Sequence, residues 1–394
     1  MDVQTLEWLL TDAGHDLLDV AMEAYADAAG DPVRAASAVR RAEPDPERAA
    51  AALTQVELRT RAVAKFGDQA PLMFFTPDAL EQATRQRVAE HRAARLAAAR
   101  PSSVVDLGCG IGGDLIAFAR AGLTAAGVDL DPVRVTAARA NLAALGLPGA
   151  VEVADVASID PGGFGAAFAD PARRGARGRV FDVDGWTPPW DFVLELLAGR
   201  GLVKVAPGIP HDLVPDGVEA EWVSEAGDVK EAVLWAPVFA STARRATVIG
   251  EGGLATLTDE DDPHQGRERP VRELGAFLYE PDGAVIRAGL VTAVAAGVDG
   301  GLVDEHIAYV TGDAAFRTPF ARSYRVLEEV PYREKPLKAA LRERSIGSLT
   351  IKKRGVEIVP ETLRKRLDLR GDNAATLVMT RIAGSGTALL VEPF

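Results

Sequence analysis

The fold class is decided by the stretch Val104-Val105-Asp106-Leu107-Gly108-Cys109-Gly110-Ile111-Gly112-Gly113-Asp114. Its apolar start leads into a glycine-rich loop, and an apolar segment with helical character follows from Leu115 to Leu123. This order predicts a strand, a tight turn and the start of a helix. The free backbone N–H groups at a helix start attract carboxylates and phosphates. The stretch therefore predicts an α/β domain that holds a nucleotide-like ligand.

The glycines of this loop match two ligand patterns. Gly108, Gly110 and Gly113 fit the dinucleotide fingerprint G-x-G-x-x-G. Asp106 with Gly108, Gly110 and Gly112 fits D-x-G-x-G-x-G, the pattern of S-adenosylmethionine (SAM) sites. A tight turn without a ligand is the third interpretation. The loop alone does not choose between them.

Short apolar runs alternate with helical patterns between residues 99 and 250, which predicts a parallel sheet with helices on both faces. After the last of these runs, Lys230–Trp235 and Ala246–Ile249 leave no room for a crossover helix, so we expect them to pair antiparallel. A dehydrogenase would continue to a sixth parallel strand. The predicted strands are 102–107, 124–129, 151–155, 165–169 and 201–206.

Aspartates follow the second, third and fourth of these strands. Asp129 can accept hydrogen bonds from ribose hydroxyls, which fits NAD and SAM equally. Asp155 can accept one from an adenine amine, a feature of SAM sites. Asp170-Pro171 stands where amino-methyltransferases carry (D/N/S)-P-P-(Y/F/W), a motif that positions a planar amine beside the methyl donor. These positions favour SAM.

The sequence departs from that motif after Pro171. Ala172 replaces the second proline and Arg173 replaces the aromatic residue. A stacking platform must then come from elsewhere, and Trp186, Trp190 and Phe75 are candidates. Arg173 with Arg174 could also clamp a phosphate of the substrate. Cys109 is predicted to be a small loop residue rather than a nucleophile, and His211 a surface residue rather than a site residue.

Together these motifs resemble class I SAM-dependent methyltransferases. The flanking segments Leu72–Thr84, Phe277–Asp282, Ile286–Leu290 and Ile351–Gly355 extend the resemblance to bacterial methyltransferases with a C-terminal THUMP-like domain. The resemblance implies SAM as cofactor and RNA, chiefly tRNA, as substrate. It implies SAM-binding roles for Asp106, Gly108, Gly110, Gly112, Asp129 and Asp155, and catalytic roles for Asp170, Pro171 and Arg173.

The charge distribution supports an RNA partner. The chain carries a net charge of −13, yet residues 322–370 hold 14 Lys and Arg against 7 Asp and Glu, a local charge of +7. A basic module in an acidic chain can follow a phosphate backbone. A solvated helical face is the competing interpretation. The candidate RNA-binding residues are Lys335, Lys338, Arg342, Lys352, Lys353 and Arg354.

Four regions are predicted: a helical domain at 1–98, a Rossmann-like methyltransferase domain at 99–250, a linker at 251–318 and a small α/β THUMP-like domain at 319–394. Within the first, Asp45-Pro46 and Gly67 predict the ends of one helix, and a second helix is expected from Thr76 to Leu96.

The first residues do not resemble a signal peptide, and no run reaches 18 apolar residues. One cysteine and five scattered histidines predict no metal site. The chain is therefore expected to be cytoplasmic.

The sequence favours a methyltransferase acting on a base nitrogen of RNA. Three other functions remain open: a small-molecule or protein methyltransferase with the same SAM site, an inactive SAM- and RNA-binding protein, and a nicotinamide-dependent oxidoreductase. The last is disfavoured because no His or Lys stands beside the motifs as a proton donor.

Overall fold

The computed structural model describes residues 1–28, 31–173, 186–264 and 270–394, and the side chains of Ala172, Arg173 and Trp186 lie outside that description. These residues form two compact units. The first comprises Met1–Val205, Ile209–Val218 and Val233–Ala240, and the second comprises Ala206–Gly208, Glu219–Ala232 and Ser241–Phe394.

Helices form the start of the first unit, as predicted. Asp45 Oδ1 accepts a hydrogen bond from the backbone N–H of Glu47 at 2.9 Å, and Gly67 ends the helix with a φ of +55°. Both predicted ends of that helix are therefore confirmed. The helices are α1 (Val3–Leu9), α2 (Asp12–Asp27), α3 (Pro32–Ala42), α4 (Pro46–Phe66), α5 (Pro77–Gln82) and α6 (Gln86–Ala98).

The expected single helix from Thr76 to Leu96 is wrong, because the chain breaks between α5 and α6. Ala83 adopts an extended conformation with ψ of 138°. The ammonium of Lys65 lies at the break, where it donates hydrogen bonds to the backbone carbonyls of Leu80, Glu81 and Ala83 at 2.8, 2.6 and 2.9 Å. No glycine or proline lies at this break, so no residue type in the sequence indicated it.

A parallel sheet follows in the first unit, in the order β3-β2-β1-β4-β7. All five predicted strands are confirmed to within a few residues. Side chains of the N-terminal helices and of the sheet share one hydrophobic core. The elements are β1 (Val104–Leu107), α7 (Gly113–Arg120), β2 (Ala125–Asp129), α8 (Pro132–Ala144), β3 (Ala150–Val153), β4 (Ala166–Ala169), β5 (Ala172–Arg173), β6 (Trp186–Thr187), α9 (Trp190–Ala198) and β7 (Gly201–Val205).

Four strands follow: β8 (Glu219–Glu225), β9 (Asp228–Trp235), β10 (Arg244–Gly250) and β11 (Gly253–Thr258). A two-residue turn joins β8 to β9, and these two strands form a hairpin. The strand order β11-β10-β8-β9 shows that the predicted pairing of 230–235 with 246–249 is wrong. β8 lies between those segments, and β10 pairs with it in parallel, Ala246 opposite Trp222.

A second sheet, in the order β13-β14-β12-β15-β18-β17-β16, belongs to the second unit. The segment 251–318, expected to be a linker, instead supplies β11 and three strands of this sheet. The predicted α/β character of residues 319–394 is confirmed. The elements are β12 (Phe277–Pro281), α10 (Gly283–Ala288), α11 (Val291–Gly297), β13 (Gly301–Asp304), β14 (Ile307–Gly312), β15 (Ala321–Val330), α12 (Glu334–Glu343), β16 (Ile346–Lys353), α13 (Pro360–Leu367), β17 (Asn373–Ile382) and β18 (Ser385–Pro393).

None of the helices in the described part of the chain has the length and apolarity needed to cross a membrane.

Candidate active site

A cavity of about 650 Å³ opens at the carboxyl ends of β1, β2 and β4 in the first unit. Ligands of open α/β sheets bind at this edge, where loops follow the strands. The glycine loop, α5 and the segment before α9 form its walls. Its lining includes Ala79, Thr84, Asp106, Gly108, Gly110, Asp114, Asp129, Asp155, Phe168, Asp170 and Pro188.

The glycine loop has the geometry that only glycine adopts readily. The φ angles of Gly108, Gly110 and Gly112 are +89°, +55° and +85°. A Cβ atom on Gly108 or Gly110 would meet nothing within 4 Å, so side chains there would point into open space. Gly108 donates its backbone N–H to the carbonyl of Val128 at 2.9 Å. The loop is thus fixed to β2 while its ligand side stays free of side chains.

Two of the predicted SAM-binding aspartates line the cavity beyond β2 and β3. Asp129 is buried, and its two carboxylate oxygens accept the backbone N–H groups of Gly110 and Asp131, each at 2.9 Å. Asp155 is exposed and accepts the N–H of Ala157 at 2.9 Å. Each carboxylate oxygen has a second lone pair for a ligand. Through its hydrogen bond to the N–H of Gly110, Asp129 also holds the glycine loop in place.

Asp106 presents a buried carboxylate to the cavity. The residue is 2% exposed, and its Oδ2 has no hydrogen-bond partner among the described residues. Burial raises the pKa of Asp106 well above its usual range, nearby Asp114 raises it further, and Arg92 opposes the shift. A buried carboxylate oxygen without a partner is costly in the free protein. A cationic ligand would relieve that cost, and SAM carries both an ammonium and a sulfonium.

An ion pair beneath the loop was not predicted from the sequence. Arg92 on α6 pairs with Asp114 at the start of α7, and both are buried. The Arg92 guanidinium also lies 4.6 Å from the ring centroid of Phe168 on β4. The N-terminal helices thus reach the floor of the cavity. No spacing in the sequence connects Arg92 with the glycine motif.

The acceptor side contains a second ion pair. Asp170, directly after β4, is 37% exposed at its side chain, and its Oδ2 lies 2.6 Å from Nζ of Lys204 on β7. The same ammonium lies 3.1 Å from Oγ1 of Thr84 in the break between α5 and α6. Pro171 is buried. Lys204 and Thr84 were missed because neither belongs to a recognisable motif.

The remaining acceptor-side candidates are Arg173, Arg174, Trp186, Phe75 and Trp190, of which Trp190 is not among the described residues that line the cavity. The Arg173 and Trp186 side chains and the whole of Arg174 lie outside the described part of the structure. Phe75 is fully buried with its ring 5.6 Å from that of Phe66, so it cannot stack on a substrate. Among the described lining residues, Phe168 is the aromatic one.

Cys109 is unsuited to nucleophilic attack. The residue is 7% exposed, and burial raises the pKa of its thiol, with the charges of Asp106 and Asp129 adding to the shift. His211 is not among the described residues that line the cavity. No cluster of three His, Cys, Asp or Glu side chains able to hold a metal was found in the described ranges.

Two buried amides hold the segment that precedes α5. Asn141 on α8 accepts the N–H of Phe74 at 2.6 Å and donates to the carbonyls of Phe74 and Ile111 at 3.1 and 2.9 Å. Gln55 on α4 makes the matching pair of hydrogen bonds with Phe75, at 2.6 and 3.0 Å. Asn141 therefore ties this segment directly to the glycine loop.

The predicted RNA-binding residues lie in the second unit. Lys335 and Lys353 are exposed. Lys338 and Arg342 donate to the carbonyls of Arg366 and Asp368, at 3.0 and 3.1 Å, where α13 ends. Of the other two, Lys352 pairs with Glu280 at 3.2 Å, and Arg354 lies 5.4 Å from the ring centroid of Tyr309. Four of the six predicted RNA-binding residues thus make contacts with other side chains or with the backbone of the protein.

Comparisons with known proteins agree with this geometry. Residues 104–170 match the model of a methyltransferase domain, residues 321–393 a THUMP domain-like family, and residues 2–62 a domain of unknown function. Uncharacterized SAM-dependent methyltransferases from two strains of Mycobacterium tuberculosis are 38% identical over 343 residues, which cover 84% of this chain and 92% of theirs. The chain belongs to the SAM-dependent methyltransferases.

The methyltransferase also resembles a solved structure along its length. A crystal structure from Porphyromonas gingivalis W83, provisionally named as a methyltransferase, superposes with a TM-score of 0.75 and 23% identity, covering 96% of this chain and 98% of that one. This likeness establishes the shared fold. The cofactor of the methyltransferase is SAM, as the unpartnered carboxylate and the glycine loop indicate.

Proposed function

We propose that this methyltransferase modifies a nitrogen of an RNA base, with tRNA as the favoured substrate. The observation that carries the proposal is the Asp170–Lys204 pair beside the glycine loop, in a chain that also contains a THUMP-like region. THUMP domains are associated with RNA. The proposed place of action is the cytoplasm, where tRNA is modified in bacteria.

The cofactor would be held by the residues of the glycine loop and the strand ends. Asp106 would face a cationic group of SAM, Asp129 its ribose hydroxyls and Asp155 its adenine amine. Gly108 and Gly110 would allow the backbone to approach closely. SAM supplies an electrophilic methyl group when bound.

The acceptor would lie against Asp170 and Pro171. Oδ2 of Asp170 is engaged by Lys204, so Oδ1 is the oxygen oriented to accept an N–H of a base amine. Holding that nitrogen in line with the methyl group is the main contribution of such a site. As the new N–C bond forms, the bond between the methyl group and the sulfur of SAM would break to leave a neutral thioether, and the amine would release its proton to water. Arg173 is proposed to contact the substrate from the same loop.

The base must leave its stack to reach this cavity. Flipping is the usual solution for enzymes that act on bases within a helix. A second RNA contact would hold the substrate during this step, and the basic segment 322–370 is the proposed source. Phosphate contacts of this kind weaken as the salt concentration rises.

The proposal is tested by incubating the protein with labelled SAM and unmodified total tRNA, then analysing nucleosides by mass spectrometry. A methylated base nitrogen in the tRNA fraction is the expected product. Label transferred to small molecules or protein instead would identify one of the alternative methyltransferases. Absence of transfer to any RNA, with SAM binding intact, would favour an inactive binding protein.

A further inference from the structure

The second sheet curls so that its edge strand β13 meets the end of β17, which lies next to the opposite edge strand. The backbone N–H of Ala383, after β17, donates to the carbonyl of Val303 on β13 at 3.1 Å. Nearby, Arg381 pairs with Asp304 at 3.3 Å. Lys352 on β16 reaches Glu280 on β12, although three strands separate β16 from β12 in the sheet order. Buried apolar side chains from β12, β13, β14, β15, β17 and β18 pack together in one cluster.

A cavity of about 590 Å³ lies at one mouth of this curled sheet. Mouths of barrel-like sheets are frequent ligand sites because side chains from several strands converge there. Arg317, Arg322 and Lys352 bring three cations to the lining. Thr350 and Thr376, which are cross-strand partners, add two hydroxyl groups.

The side chains around the cavity carry more positive than negative charge. Glu280 pairs with Lys352 and also accepts the hydroxyl of Tyr324 at 3.2 Å, so it offsets one cation. Arg317 and Arg322 are exposed, and neither has an ion pair with a carboxylate among the described residues. Desolvation and the charge of Glu280 raise the pKa of Tyr324 to about 12, so this hydroxyl stays neutral. No Asp or Glu side chain from the described part of the chain lines the cavity.

We infer that this mouth binds a phosphate group of the RNA substrate. Guanidinium groups bind phosphate oxygens through paired, charge-assisted hydrogen bonds, and neighbouring hydroxyls satisfy the remaining oxygens. The site differs from the residues predicted on α12, because Lys338 and Arg342 are already engaged at the end of α13. Arg317 and Arg322 replace them as the principal contacts. The inference rests on RNA being the substrate.

The test measures binding of fluorescein-labelled, unmodified tRNA transcript to the full-length protein over a series of salt concentrations. We expect the double variant Arg317→Ala/Arg322→Ala to lose about tenfold in affinity at low salt, with the salt slope reduced by about 1 to 2. Arg40→Ala/Arg41→Ala is the matched control, since it removes the same charge from exposed positions on α3, outside the cavity and outside residues 322–370. Equal losses in both double variants, or none in the first, would overturn the inference. SAM affinity and thermal unfolding of each variant establish that it is folded.

Two outcomes separate this inference from the proposed function. If the wild-type protein binds no RNA, the RNA substrate itself is wrong. If it binds RNA and both double variants match it, only the phosphate site is wrong. Adenosine monophosphate, titrated in parallel, distinguishes the phosphate source. Binding of this nucleotide that is lost in Arg317→Ala/Arg322→Ala, with RNA affinity unchanged, would assign the site to a free nucleotide and overturn the RNA assignment.

Discussion

The ammonium of Lys204 and the carboxylate of Asp170 lie 2.6 Å apart at the ends of two neighbouring parallel strands. Asp170 follows β4 and Lys204 lies near the end of β7, so the sheet itself brings them together. The same ammonium donates a hydrogen bond to Oγ1 of Thr84, between α5 and α6, at 3.1 Å. This arrangement fixes one oxygen of Asp170 and orients the other, which makes Lys204 a positioning residue for the proposed acceptor site.

Replacing Lys204 with Met should lower kcat by about 10- to 100-fold, because a misoriented acceptor loses in-line geometry. The affinity for SAM should stay within about twofold of the wild type, since the partners described for Lys204, Asp170 and Thr84, are not among the proposed SAM-binding residues. Lys204→Arg keeps the charge and should recover part of the loss. Steady-state kinetics together with calorimetric SAM binding measure both quantities. A fall in SAM affinity that matches the fall in kcat would instead indicate a structural role.

The variant Asp170→Ala should abolish measurable methyl transfer while SAM binding remains largely intact. The side chain would no longer accept a hydrogen bond from the amine, and a loss of at least about 100-fold is expected. Asp170→Asn is the control, because its carbonyl oxygen still accepts a hydrogen bond. Single-turnover transfer of label from SAM to tRNA gives the rates. Wild-type turnover in Asp170→Ala would remove Asp170 from the acceptor site.

Local patterns in the sequence were sufficient for most of the first sheet. Buried parallel strands appear as apolar runs, and the glycine loop, the cap at Asp45 and the helix end at Gly67 each have a short-range signal. The contacts that complete the site have no such short-range signal. Arg92 and Asp114 are 22 residues apart, and Lys204 and Asp170 are 34 apart. Only the folded sheet and the docked helices bring them together.

The missed strand β8 illustrates a second limit. Its residues are all buried, yet it contains Glu219, Glu221 and Glu225, so it shows no apolar run. The carboxylate of Glu219 pairs with Arg245 at 2.7 Å, and Glu221 accepts the hydroxyl of Thr247 at 2.6 Å. Buried charges are tolerated when such partners exist. Those partners are on β10, which the sequence pattern paired with the wrong strand.

Asn141→Ala should lower the free energy of unfolding by about 2 to 4 kcal/mol, because the backbone groups of Phe74 and Ile111 would remain buried without partners. The affinity for SAM should also fall, since Ile111 belongs to the glycine loop. Gln55→Ala is the matched comparison. It removes two similar hydrogen bonds to Phe75 and should destabilise the protein with a smaller effect on SAM. Urea unfolding and SAM titration test both variants, and equal effects on SAM affinity would contradict the special role of Asn141.

The ionisation of Asp106 should couple SAM binding to pH. Asp114, Asp129 and Asp170 raise the pKa of the Asp106 carboxyl in addition to burial, while Arg92 lowers it. The folded protein therefore holds this proton more tightly than the unfolded chain, whose Asp pKa is about 3.9. Stability associated with Asp106 is highest below that value. It declines as the pH rises toward the folded pKa and is constant above it.

A cationic ligand beside Asp106 favours the ionised form, so SAM should bind more tightly as the pH rises through the folded pKa, with release of a proton. Calorimetric titration in buffers of different ionisation enthalpy counts the protons released on binding. The variant Asp106→Asn has no group to titrate and should lose both the proton release and this pH dependence, with lower SAM affinity at high pH. Proton release that persists unchanged in Asp106→Asn would show that a group other than Asp106 is coupled to the cofactor.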